Sequence, residues 1–102
     1  MKVHRRGTEV LVAACDERLL GQTLRAGVLR LHVSEFYDGD AMTAEEFIVQ
    51  LRLATIGNFV GRETVAAAQR AGFVGDGGVL MIGGEPHAQM VTMPSGESSE
   101  GL

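Results

Sequence analysis

The chain has 102 residues, 45% of them hydrophobic, and a formal net charge of −4. That suffices for one domain with its own core, while no apolar run approaches the roughly 20 residues of a membrane-spanning helix. The single cysteine, Cys15, excludes an internal disulfide framework and fits a reducing compartment, and no apolar stretch follows the basic start Met1–Arg6 before Glu9, so an intracellular, cytoplasmic protein is expected.

Val3-His4-Arg5 is short and reads as an edge strand, with Arg6-Gly7-Thr8 as a turn. Glu9 to Cys15 is apolar on both alternating faces, the pattern of a strand covered on both sides, and pairs with the first as a hairpin. Asp16 is placed to cap a short helical turn from Glu17 to Leu20, which Gly21 stops. Ala26-Gly27 reads as a turn. Val28 to Val33 alternates cleanly, with Leu29, Leu31 and Val33 on one face and Arg30, His32 and Ser34 on the other. Phe36-Tyr37 extends that strand. Thr43-Ala44-Glu45-Glu46 is a capping box ahead of a helix with Phe47, Ile48, Leu51 and Ala54 on one stripe. Gly57 and Asn58 weaken its end. A second helix, about Arg62 to Ala71, buries Val65, Ala68 and Ala71, and Gly72 follows its C-cap.

Gly75-Asp76-Gly77-Gly78 forms a turn before the apolar strand Val79–Ile82. The segment Gly83-Gly84-Glu85-Pro86-His87-Ala88-Gln89 then reads as a shaped loop. Its two glycines permit positive φ, and Pro86 pushes Glu85 toward extended backbone. Met90–Met93 is a further short strand, and Pro94–Leu102 has the composition of a disordered tail, leaving one domain over 1–93. Strands at both ends and helices between them predict an α+β two-layer sandwich. Its mainly antiparallel sheet would have three to five strands, with two main helices on one face.

Three segments together resemble an archaeal family of short uncharacterised proteins, domain of unknown function 424. They are Leu11-Val12-Ala13-Ala14-Cys15-Asp16-Glu17 with Leu19-Leu20-Gly21, then Ala54-Thr55-Ile56-Gly57-Asn58-Phe59-Val60-Gly61, then Ile82-Gly83-Gly84-Glu85-Pro86-His87-Ala88-Gln89. The resemblance covers nearly the whole chain up to Gln89. It implies an archaeal, cytoplasmic setting and, by analogy, a link to translation or RNA handling. It supplies no established activity. It also leads one to expect alanine at position 57, where this chain has glycine.

The ligand-binding candidates are Asn58, Gly83, Gly84, His87 and Gln89. In extended backbone His87 and Gln89 share a side, and the glycine amides can form an anion nest. A structural role competes equally: these polar groups can tie the last loop to open backbone atoms. Cys15 ahead of a helix start, with His87 as base and Asn58 as orienter, is the catalytic candidate of a small hydrolase or transferase. Against it stands the ordinary role of cysteine as a small hydrophobe.

Charge is uneven. Residues 1–34 carry +3 and residues 35–102 carry −7. Lys2, Arg5, Arg6, Arg30 and His32 are therefore the nucleic-acid candidates, with Arg5, Arg30 and His32 foremost. The acidic total and the absence of tryptophan favour a solvated face instead. Spacing supplies no metal-ligand pattern and no phosphate loop, so no metal or cofactor is expected. The leading expectation is a binding module with RNA or a ribonucleoprotein as partner. A structural homodimer using Met81, Met90 and Met93 is the other non-enzymatic reading.

Overall fold

The computed structural model describes residues 1–37, 39 and 41–92. Strands β1 (Lys2–Arg6) and β2 (Glu9–Cys15) form the expected hairpin, with Val3 opposite Val12 and His4 opposite Leu11. A single 3₁₀ turn, Glu17–Leu19, follows. A second hairpin joins β3 (Thr23–Ala26) to β4 (Leu29–His32). Helix α1 (Ala44–Leu53) starts at the Thr43 capping box: Glu46 N–H donates to Thr43 Oγ1, and Thr43 N–H donates back to Glu46 Oε1. Strand β5 (Ile56–Val60), helix α2 (Arg62–Arg70), and strands β6 (Val79–Ile82) and β7 (Glu85–Val91) follow among the described residues.

The main sheet runs β1-β2-β5-β7-β6, and β3 and β4 form a second, two-stranded sheet. Among the described residues only β2 and β5 pair in parallel, an arrangement that requires the long crossover through the second hairpin and α1. The expected α+β class holds, with a mainly antiparallel sheet and both helices on one face. Val12, Ala14, Phe59, Ala88 and Met90 point to the helices and pack with Phe47, Leu51, Val65 and Ala68. The alternate residues Ala13, Val60 and Ile82 point the other way, where Leu19, Leu24, Val33 and Tyr37 cover them. This second cover explains why β2 is apolar on both sides.

Four local expectations differ from the structure. Residues 23–26, where the sequence predicts only a turn at Ala26-Gly27, are β3, because Leu24 is buried with Leu31 opposite it across the hairpin. Phe36-Tyr37 lies in turn and bend instead of extending β4. Gly57-Asn58 does not fray a helix; it belongs to β5, between β2 and β7 in the main sheet. The segment 85–89 is not a loop. Gly83 and Gly84, with φ of 58° and 81°, make a two-residue hairpin turn, and β7 runs on through the residues expected as a separate strand. The tail expected over 94–102 lies outside the described residues, as does Met93.

The two aromatic rings at the centre of the helix-side core explain the glycine at 57. Phe47 meets Phe59 edge to face, with ring centroids 5.7 Å apart. A Cβ on Gly57 would stand 2.3 Å from Phe59 Cζ, and Phe59 is fully buried. Gly57→Ala must therefore push that ring against Phe47. It is expected to lower unfolding free energy by about 1–3 kcal/mol, read from urea denaturation, and a wild-type midpoint would refute this account of the glycine.

Candidate functional site

Three places hold the sequence-predicted residues. The first is the sheet face opposite the helices. Asn58 on β5 lies opposite Gln89 on β7, and Val60 lies opposite His87. Asn58, His87 and Gln89 therefore share one face. His87 Nε2 lies 3.1 Å from Asn58 Oδ1, so Nε2 carries the proton and donates to the amide oxygen. Both side chains are half-buried, and Gln89 is exposed. Burial pushes the imidazole pKa below its ordinary value, so His87 is neutral at pH 7. Gly83 and Gly84 do not join this group. They lie at the far end of β7, roughly 16 Å from Gln89 at the strand rise, with Gly83 against the backbone of Arg25.

Cys15 is not brought to His87. Cys15 pairs with Val60 on β5, and Val60 pairs with His87 on β7. Two strand spacings, about 10 Å, and the fully buried Val60 side chain separate thiol from imidazole. Asn58 bonds His87 but lies two residues further from Cys15 along β5. The structure thus does not assemble the cysteine, histidine and asparagine as a triad. Among the described residues, no group of three or more His, Cys, Asp or Glu could hold a metal ion.

The second place is the outer face of the β3–β4 hairpin. Arg25 lies directly opposite Arg30, and Thr23 opposite His32, with Thr23 Oγ1 3.0 Å from His32 Nδ1. All four are exposed. Neither Arg25 nor Arg30 has a carboxylate within salt-bridge distance among the described residues. Arg25 escaped the sequence reading because β3 did; the alternation of Thr23, Leu24 and Arg25 was the available signal. Arg5 does not belong to this surface. It lies on the edge strand β1, two residues after Val3, which packs on the helix side. The hairpin packs instead against β6, the opposite edge. His4, the neighbour of Arg5, stacks on Phe36 at 4.2 Å.

The third place is the end of β2, where Asp16 does what sequence assigned elsewhere. It makes no side-chain cap to the 3₁₀ turn. Its carboxylate instead caps α2, accepting from the N–H groups of Glu63 at 3.1 Å and Thr64 at 2.9 Å and from Thr64 Oγ1 at 2.8 Å. Gly61, the residue before α2, has φ 109°, and a Cβ there would collide with Asp16 Cγ at 2.4 Å. Arg18 forks onto Glu85 through two 2.9 Å bonds and also reaches Asp16 Oδ2 at 3.3 Å. The Arg18 bond holds the Glu85 carboxyl below its usual pKa, with the nearby Arg62 helping. Beside this network opens a cleft of about 430 Å³ lined by Cys15, Asp16, Tyr37, Glu63, Thr64 and Arg70 among others.

Of the homodimer candidates, Met81 is 55% exposed on edge strand β6, whereas Met90 is buried on the helix side. Among the described residues no helix is long and apolar enough to cross a membrane.

These features define a small α+β domain with a five-stranded sheet, helices on one face and a basic hairpin over part of the other. Residues 4–93 match the family designated protein of unknown function DUF424, and the chain belongs to that family. The fold is similar, at TM-score 0.79 and 31% identity, to the crystal structure of an uncharacterized conserved protein from Methanopyrus kandleri; the match covers 91% of this chain and 90% of that one. No curated protein matches the sequence.

Two outcomes follow. Asp16→Ala strips the cap from α2 and leaves buried donors unpaired, so it should cost about 2 kcal/mol and lower the melting temperature by about 10 °C; an unchanged melting curve would remove Asp16 from its structural role. His87 binds its proton less readily in the folded chain than in the unfolded one. The stability is therefore intact above the ordinary histidine pKa, about 6.5, and falls as pH drops below it. Urea titrations between pH 7 and 5 should show that fall, and His87→Gln should flatten it.

Proposed function

We propose that this chain is a small cytoplasmic binding module that docks on RNA through the outer face of the β3–β4 hairpin. The observation that carries the reading is the Arg25–Arg30 pair. Like charges directly opposite on neighbouring strands repel, and here no described acidic side chain relieves them. The other arginines near the sheet end, Arg18 and Arg62, lie against Glu85, so the hairpin concentrates uncommitted positive charge. A phosphate backbone supplies the missing anion. Thr23 and His32, exposed beside the guanidiniums, offer hydroxyl and imidazole groups suited to a ribose 2′-hydroxyl. Tyr37 is buried and Phe36 is engaged with His4, so the reading is of backbone binding with little base selectivity.

The test is a fluorescence-anisotropy titration of a labelled 12-nucleotide single-stranded RNA across salt concentrations. Wild type should bind at low salt. Arg25→Ala with Arg30→Ala should weaken binding at least tenfold and reduce the slope of log K against log salt by about 1.4, at about 0.7 per phosphate contact. Arg5→Ala should change little. Absence of binding at 20 mM salt, or equal affinity for DNA of the same sequence, would sink the RNA reading.

A further inference from the structure

We propose that the cleft at the carboxyl end of β2 binds a short apolar peptide, its ammonium at the α2 N-terminal end and its carboxylate at Arg70. The cleft holds about 430 Å³, within the range of pockets that take small ligands. It lies at the carboxyl end of β2, with Cys15, Asp16 and Glu17 in its lining.

The cleft contains a buried polar group without a partner among the described residues. Tyr37 is only 5% exposed and lines the cleft, yet its hydroxyl has no hydrogen-bond partner among the described residues. Buried tyrosine hydroxyls are ordinarily paired. Burial raises the phenol pKa, with the nearby Cys15 thiol adding to the effect, so the hydroxyl stays protonated and able to donate. A peptide carbonyl is an acceptor of the kind it lacks.

The charges lie at opposite ends. Glu63 is in the first turn of α2 and Arg70 in its last, both lining the cleft. Seven residues of helix separate them by about 10 Å on nearly the same face. Glu17 adds a second carboxylate near Glu63's end, and neither Glu17, Glu63 nor Arg70 has an ion pair among the described residues. Asp16 is not available to a ligand, since α2 and Arg18 use both its oxygens. Leu20, Phe47 and Ala67 add apolar surface to the lining, beside the hydroxyl-bearing Thr43 and Thr64. An extended tripeptide spans about 10 Å. It carries an ammonium and a carboxylate at the separation of Glu63 and Arg70, and carbonyls that can accept from the Tyr37 hydroxyl, which a simple amine or acid does not combine.

The experiment is calorimetric and NMR titration of the intact chain with the tripeptide Ala-Leu-Ala, its N-acetylated form and its C-terminal amide. The free tripeptide should bind at least tenfold more tightly than either blocked form, with amide shifts at residues 15–20 and 63–70. Glu63→Gln should abolish the discrimination against the acetylated form, and Arg70→Gln that against the amide. Both residues are exposed, so the variants should fold. Tyr37→Phe should weaken all three peptides alike. Equal binding of the three forms, shifts elsewhere on the sheet, or no heat and no shifts at millimolar peptide would overturn the proposal.

Discussion

The Asp16 carboxylate is the constraint on which the arrangement of this molecule depends. It stands where β2 ends, and it accepts the first free N–H groups of α2. Helix starts leave such donors unsatisfied, and they attract negative charge. One residue just past β2 thereby fixes the position of a helix that begins 46 residues later. The backbone reinforces the joint: Asp16 N–H donates to Val60 O, and Gly61 N–H donates to Pro86 O. Strands β2, β5 and β7 are tied at one end within a few residues. Arg18 and Glu85 extend the joint to β7 through a forked pair, the strongest common geometry for such ions.

This joint also decides the role of the loop that looked most like a site. Glu85 follows the Gly83-Gly84 turn, and its task is to receive Arg18. The turn exists to reverse β6 into β7, placing Glu85 on the face where Arg18 waits. His87 and Gln89 then fall on the same face by simple alternation. His87 spends its donor on Asn58 and sits half-buried as a neutral ring. The Asn58–His87 contact is a cross-strand bond within the sheet, and Gln89 is the member of the trio left facing solvent.

What the sequence disclosed and what it withheld follow from local and non-local control. The capping box at Thr43, the hairpin of β1 and β2, and the glycine after α2 were legible because each is settled by neighbours within four residues. Strand β5 was not legible. Ile56-Gly57-Asn58-Phe59-Val60 contains a glycine and an asparagine, both poor strand formers. It is a strand because β2 and β7 flank it and because Phe59 occupies the space beside Gly57. Strand β3 was hidden for a similar reason: four residues with one buried side chain, Leu24, make a strand only when Leu31 lies opposite. Sequence proximity assigns Asp16 to the turn that follows it, but its carboxylate caps α2, a helix reached through the fold. With β3 missed, Arg25 could not be placed beside Arg30, and the basic surface was drawn with Arg5, which the sheet carries to the other edge.

The uneven charge of the chain acquires a spatial meaning from the same topology. The basic first third does not form one face. Arg18 is drawn into the joint by Glu85, which belongs to the acidic remainder, and Arg62 approaches the same carboxylate at 3.8 Å. That pairing cancels charge at the sheet end and leaves Arg25 and Arg30 as a separate positive spot on the hairpin. Around the cleft the balance reverses, because Glu17 and Glu63 project beside an Asp16 already saturated by donors. A molecule with a net charge of −4 can thus present opposite local potentials at two places. Net charge predicts the surface poorly when a few ion pairs choose which charges remain unspent. Here that choice is made by Glu85, whose position is set by a two-glycine turn.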